Sequence, residues 1–564
     1  MRPSKVGFFA GCILTMGIAC RPAAGPPTPA PVPIVVPTVV PPPPANPKLP
    51  PVPEVRGPLQ INVIYPKPDQ LLTARDSNFI FGSVGSGDAA LAINGVSVPV
   101  WPNGSFLAWL PVPKDSTPRY QLVAVNASGR TESTLPVRLP AVAAPSVRPD
   151  STPVDTSNRV SPSPVAADSA APLPRNVFVA VGAPASTVDD TDRVSIARPA
   201  PGNGQEYKWF LLPGTVVKAT GTKKASGDDF VRIELDSAQE AWVLRSEIQA
   251  ANISSSNQQL VGDSVAPVRH VGAVRLDPGS EWTDVVIPID GPPPPYLVEE
   301  ADRSFSLLVY GVAPAPVVSM MPQTPDGYLT SVSSTPEPNR VRYTINLARA
   351  PYGHLVLWQN GSLVFRVRRP PRIADTANPL RGLTITVDPG HPPGGTTGPT
   401  GFYEADAALA VGLRLRDLLA ERGVNVVMTR STPEPVELGL RPIISRRANA
   451  HAFVSIHFDA LPDGENPFLL NGSWTLYFWR HSLPLAQATQ AQLLEHLGLR
   501  DKGAQFQNLA VARGPWMPAI LTEGGFLMMP DQEAAFRTPE YQTAYATAIL
   551  RGLETYFASL AQTQ

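Results

Sequence analysis

Thiols are almost absent from this 564-residue chain: Cys12 and Cys20 are its two cysteines, both within the first twenty residues. The remainder therefore has no disulfide framework and no cysteine-ligated zinc site. Charge is also sparse. Asp, Glu, Lys and Arg together make 16% of the chain, and the formal net charge is -1. That balance supplies no basic face for nucleic acid and no polybasic patch for a membrane surface. Past the N-terminus, no apolar run is long enough for a transmembrane helix. Proline, by contrast, is abundant at 68 residues, so part of the chain must be linker. The length is more than one core usually serves and predicts three or four domains.

The chain begins MRPSKVGFFAGCILTMGIAC. Arg2 and Lys5 form a positive start and Val6 to Ile18 an apolar stretch, which is the pattern of an export signal over 1–20. Ile18-Ala19-Cys20 resembles a bacterial lipobox, in which the cysteine takes the lipid, although Gly17 stands where Leu is preferred. The expectation is an exported protein of the periplasm or cell envelope, held to a membrane by lipid on Cys20, with simple cleaved secretion as the other outcome.

Residues 21–56 carry Pro at every second or third position, which predicts an extended polyproline stalk without a core. Residues 57–140 (LQINVIYP, NFIFGSV, LAINGVSVPV, SFLAWLPV, YQLVAVNA, LPVRLP) read as short alternating strands broken by turns such as Asn94-Gly95. They predict a small immunoglobulin-like sandwich. A Ser/Pro/Ala/Asp-rich linker is expected over 141–174. Short strands return over 175–252, where TVVKATGTKKASGDDFVRIEL and EAWVLRSEI resemble the closing hairpin of an SH3-like module, and again over 265–375.

From 376 to 564 the texture changes. Apolar strands alternate with helical patterns: LTITVDPG, ALAVGLRLRDLLAERG, VNVVMTR, IISRRANA and AFVSIHFD. This rhythm predicts an α/β domain, a mostly parallel sheet with helices on both faces. In such sheets function collects at the carboxyl ends of strands. Four polar residues fall there or at a helix start: His391 after TITVDPG, Glu404 ahead of the first helix, His457 ending AFVSIH and Glu523 ending AILTE. Two neutral imidazoles and one carboxylate suit a hydrolytic zinc ion with a position left for water, and a second carboxylate suits a base beside it. The glycines and prolines of PPGGTTGPTG let the backbone turn back so that Glu404 faces the same point as His391.

TITVDPGH, GFYEAD, LGLRPIIS, FVSIH and MPAILTEGGFL, in this order over roughly 380–560, resemble the zinc-dependent N-acetylmuramoyl-L-alanine amidases of the amidase-3 type. The resemblance implies that His391, Glu404 and His457 bind one zinc ion and that Glu523 is the catalytic carboxylate. It implies peptidoglycan as substrate and hydrolysis of the amide between N-acetylmuramic acid and the L-alanine of the stem peptide. The strands of 265–375 resemble the AMIN-related β domains that precede some cell-wall amidases.

The chain departs from that pattern. Pro392-Pro393 intervene before Gly394-Gly395, Asp459 replaces an Asn, Ala405 a Lys, and Leu440 a Glu. Only LPDGENPFLLNG follows the second histidine strand, too short for the inhibitory helix some relatives carry, so the site is expected to be open by default. Asp388 is read as turn chemistry or as a partner behind a ligand histidine. Arg441 and Arg513 are read as structural ion-pair partners, with contact to a peptide carboxylate as the alternative. His270, His354, His451, His481 and His496 carry no motif and are read as core or surface residues. Two rival functions remain: a wall-binding scaffold with an inactive amidase-like domain, and a zinc peptidase acting within the stem peptide.

Overall fold

A computed structural model describes residues 38–44, 46–140, 171–181, 194–202, 206–251, 258–261, 264–267, 269–313, 316–322 and 327–562. The expected signal, Cys20 and most of the linker 141–174 lie outside the described residues. Among those described, no helix is long and apolar enough to cross a membrane.

Residues 62–138 form two packed sheets, one of three strands and one of five. Alternate side chains (Ile80, Leu91, Ile93, Phe106, Tyr120, Leu122) fill the core between them. Asn94 (φ 49°) and Gly95 (φ 79°) make the tight turn between Ala90–Ile93 and Val96–Val98, as the Asn-Gly pair predicts.

The next β region corrects one expected boundary. A five-stranded sheet covers most of 171–250, but the strands Ser195–Ala197 and Trp209–Leu211 leave it and join Tyr296–Ala301 in a seven-stranded sheet. One sheet therefore runs across the division placed between 252 and 265. Its two faces serve different cores. Leu297, Leu308 and Tyr310 pack toward the five-stranded sheet, whereas Tyr296, Val298, Leu307 and Val309 pack against Val285, Ile287, Leu363 and Phe365 of a further sheet. Strands apolar on both faces are what a central layer requires.

The C-terminal domain follows as β1 (Thr384–Pro389), α1 (Glu404–Glu421), β2 (Asn425–Met428), α2 (Leu440–Arg447), β3 (Ala452–Asp459), β4 (Ser473–Tyr477), α3 (Leu483–Leu497), β5 (Asp501–Phe506), β6 (Ala519–Phe526), α4 (Pro530–Phe536) and α5 (Pro539–Ala561). Its sheet has the order β2-β1-β3-β6-β4-β5, with every pairing parallel except β4 with β6. The β-branched run Thr384-Ile385-Thr386-Val387 favours β1, and Pro389 ends it by offering no N–H. In α1, Ala407, Ala408, Val411, Leu415 and Leu419 repeat at helical spacing and are buried; Gly423, at φ 73°, lies just beyond its end.

Helices α1, α3 and α5 cover one face of this sheet through Ile385, Val387, Val454, Ile456, Leu493 and Leu553. The opposite face was expected to carry helices too. Among the described residues it has the eight-residue α2, and Phe453, Leu476, Ala519 and Leu521 are instead covered by Val286, Leu355, Leu357 and Val364 of the preceding β region. Arg368, 2% exposed, fixes that seam by donating to the carbonyls of Ala450 at 2.6 Å, Asn449 at 3.0 Å and Trp516 at 3.1 Å. The first sandwich docks as well: Phe79, Phe81, Trp101 and Leu107 pack on Phe526, Met528 and Met529. Part of the expected stalk is laid against these bodies, with Leu49 on the α/β core and Val52 on the cluster that holds Phe79 and Phe526.

Candidate active site

β1 and β3 are neighbouring parallel strands, so residues just past their carboxyl ends meet. His391 follows β1, His457 lies near the end of β3, and Glu404 opens α1. The structure brings these three together. Glu404 Oε1 is 3.2 Å from His391 Nε2 and 3.1 Å from His457 Nδ1. Its other oxygen accepts from the Thr396 N–H at 2.9 Å, and the Phe458 N–H donates to Oε1 at 3.2 Å. Glu404 is 3% exposed, so two histidines and three donors surround a carboxylate that has almost no water.

The orientation of His391 is fixed from behind. Its Nδ1 lies 3.1 Å from the Pro393 carbonyl, which holds the ring with Nε2 toward Glu404. Gly390 is required on steric grounds, because a Cβ there would come within 2.4 Å of the His457 ring. Burial by itself would raise the Glu404 carboxyl, but the hydrogen bonds from His391 and His457 outweigh it and hold it well below the carboxylate range. Burial likewise opposes charge on His391, and Glu404 reverses that to leave it above the ordinary imidazole value. The cluster draws positive charge to one point. Its donor set and its ligand atoms, all within 4.8 Å of one another, fit a divalent cation such as zinc.

Glu523 is the register partner of His457 on the adjacent parallel strand β6. Burial pushes its carboxyl well above the usual range, and the nearby charges of Asp459 and Glu404 push the same way, against Lys502. Its Oε2 is buried with no hydrogen-bond partner among the described residues. An unpartnered buried carboxylate is costly, which marks a group kept for something other than stability.

The N-acetylmuramoyl-L-alanine amidase family matches residues 385–555. The cell wall amidase LytH of Staphylococcus epidermidis, described as probable, is 33% identical over 190 residues, which is 33% of this chain and 62% of that protein. The chain thus spans less than two thirds of that relative's length. The Bacillus subtilis protein YqiI is 30% identical over 207 residues, 36% of this chain and 98% of its own. Among solved structures, the N-acetylmuramoyl-L-alanine amidase AmiC2 of Nostoc punctiforme is 33% identical, with 31% of this chain and 96% of that chain covered and a TM-score of 0.29. This chain belongs to the N-acetylmuramoyl-L-alanine amidase family.

Within the amidase domain, the remaining sequence candidates separate. Asp388 is fully buried in β1. Its carboxylate accepts from Thr429 Oγ1 at 2.5 Å, Ser455 Oγ at 2.6 Å and Arg441 Nη1 at 2.8 Å. Arg441 in turn donates to the carbonyls of Pro389 at 2.9 Å, Pro392 at 3.0 Å and His391 at 3.2 Å. It therefore shapes the His391 loop from inside. Arg513 is not in this cluster; it donates to Asn508, lies over the Tyr207 ring and lines a cavity between domains. Asp459 caps its own strand end, accepting from the Ala460 N–H at 2.7 Å, and burial pushes its carboxyl up to about 6.

Two residues of the amidase domain went unnoticed in the sequence. Arg430, 5% exposed, donates to the carbonyls of Pro389 at 2.9 Å, Gly390 at 2.8 Å and Ala405 at 2.7 Å, so it ties the His391 loop to the start of α1. Its position after the apolar run VNVVM was the one signal available. Lys502 lies 3.8 Å from Asp459 and over the rings of Trp474 and Phe526, and no motif marks it.

Proposed function

We propose that this chain is an exported zinc-dependent amidase of peptidoglycan that hydrolyses the amide between N-acetylmuramic acid and L-alanine. The observation that carries the reading is the joint placement of Glu404 within 3.2 Å of both His391 and His457 and of a half-buried Glu523, its Oε2 buried without a partner among the described residues, on the strand beside His457. His391, Glu404 and His457 would hold the zinc ion. When bound, that ion supplies Lewis acidity, polarising the scissile carbonyl and acidifying the attacking water.

The residues of the chain do the rest. Burial and the nearby Asp459 and Glu404 charges raise the proton affinity of Glu523, so its ionised carboxylate would be suited to take a proton from the attacking water. It then returns that proton to the amine of L-alanine as the bond breaks. Arg441 and Arg430 hold the carbonyls of 389–392 in place, so His391 needs no reorganisation during turnover. Lipid on Cys20 would keep the enzyme at a membrane facing the wall.

Digestion of purified sacculi with the full chain tests the reading. Released stem peptides that begin at L-alanine are the expected product. Shortened stems would replace this reading with a peptidase, and intact wall carrying bound protein would replace it with a scaffold.

A further inference from the structure

A second group of ligand atoms lies away from this site, in the seam between the β region and the amidase domain. Glu300 (strand Tyr296–Ala301) and His354 (strand Gly353–Gln359) come from the β region, and His481 comes from the short turn Arg480–Ser482 after β4. One ligand atom from each lies within 4.8 Å of the other two. Glu300 Oε1 is 2.6 Å from His481 Nδ1 and 3.7 Å from His354 Nδ1. All three side chains are 2% exposed or less. Burial this deep rules out a solvated surface cluster.

The placement of His354 is the telling feature. Its ring is stacked on Phe365, centroids 5.3 Å apart, and meets Phe305 and Trp479 edge-on at 5.0 and 4.7 Å. These contacts fix the ring, yet Nδ1 has no hydrogen-bond partner among the described residues. It points at a carboxylate oxygen already occupied by His481, at a separation too long for a hydrogen bond. A dry imidazole nitrogen aimed at a carboxylate is costly unless a cation stands between them. Glu300 is anchored for such a role, because its Oε2 accepts from the His481 N–H at 3.0 Å and leaves Oε1 to the two rings.

We infer that Glu300, His354 and His481 form a second, structural divalent-cation site, a zinc clip that joins the β region to the amidase domain. Two imidazoles and one carboxylate match zinc's preference for nitrogen and oxygen donors. A cavity of about 520 Å³ reaches His354 and Met517, from which one water can complete the coordination. Loading turns the His481 Nδ1 lone pair to the cation and leaves the ring's N–H on Nε2, beside the Met517 carbonyl at 3.4 Å. The two domains then share a bond that neither can make alone.

Zinc counted on the purified full chain tests this together with two variants. The expected content is about two zinc per chain in the unchanged protein, about one in His354→Gln and about one in His391→Ala. Sacculus digestion persists in His354→Gln, and added zinc raises the unfolding temperature of His391→Ala but not of the double variant. One zinc that survives His354→Gln and vanishes in His391→Ala overturns the clip and leaves the amidase site standing. One zinc with the reverse pattern keeps the clip and overturns the amidase-site ligands. Should a variant not fold, an anomalous difference map at the zinc edge from crystals of the unchanged protein decides: density between His354 and His481 supports the clip, and its absence there ends it.

Discussion

His457 and Glu523 face each other as register partners on adjacent parallel strands, one offering a ring nitrogen to Glu404 and the other a buried oxygen without a partner. The proposed reading gives the two residues different duties. In it, His457 would hold the cation and Glu523 would move the proton. Glu523→Gln keeps the shape and removes the proton-carrying oxygen. The expected result is a fall in sacculus hydrolysis of about a hundred- to ten-thousandfold with zinc content unchanged. Stability should not fall, since an unpaired buried carboxylate is lost. Loss of zinc in this variant would move Glu523 into the ligand set and sink the assignment.

The loop around His391 is supported from beneath by the Asp388–Arg441 pair, 2.8 Å apart, with Asp388 fully buried and Arg441 3% exposed. Removing one partner of such a pair leaves an uncompensated buried charge, at a cost of about 3–5 kcal/mol. Asp388→Ala should lower the urea midpoint accordingly. It should also weaken zinc binding about 10- to 100-fold, because Arg441 orients the carbonyl of His391. A variant with ordinary zinc affinity would show that the loop is held without this pair.

Much of this site was legible in the sequence, and the reason is local. His391, His457 and Glu523 each close an apolar run, and Glu404 opens a helix, so their strand-end positions follow from short windows. Arg430 was missed because an arginine after a strand looks like a surface residue until the carbonyls it serves are known, and these lie 25 to 41 residues away in the chain. The β regions were legible as strands but not as sheets. Ser195–Ala197 and Trp209–Leu211 carry no signal that they pair with Tyr296–Ala301 rather than with their sequence neighbours. The covering of β3 and β6 by Leu355 and Leu357 is equally silent, since alternation tells that a face is buried and not by what.

The short loop after β3 is gripped by the first sandwich. Asp463 accepts from the Thr73 N–H at 2.7 Å, from Asn78 Nδ2 at 2.9 Å and from the Tyr65 hydroxyl. Asn78, which is fully buried, accepts in turn from the Gly464 N–H at 3.0 Å. Asp463→Ala strands these donors and should destabilise the chain by about 1–3 kcal/mol. Limited proteolysis should then cut the 459–472 segment sooner than in the unchanged protein. Equal cutting rates would mean that the apolar contact of Phe79 and Phe81 with Met528 and Met529 holds the domains without help.

His451 gives the acid limb of stability a traceable source. It precedes β3, its Nδ1 accepts from the Thr384 N–H at 2.9 Å, and its carbonyl accepts from the Tyr352 hydroxyl at 2.6 Å. Burial, aided by the nearby Arg368, pushes its pKa down from 6.5 to about 4. Above pH 6.5 the ring is neutral folded or unfolded, and the stability is complete. As pH falls below 6.5 the unfolded chain takes up a proton that the folded chain refuses until about pH 4, so stability drops across that window. The full effect is about 3 kcal/mol at most, because each tenfold loss of proton affinity is worth roughly 1.4 kcal/mol. Other groups titrate in the same range, so the informative quantity is a difference. Urea midpoints for the unchanged chain and His451→Gln, taken from pH 7.5 down to pH 4.5, should diverge at neutral pH by a constant and converge as the pH falls. Parallel curves across the whole range would show that the folded protein takes up the His451 proton as readily as the unfolded chain.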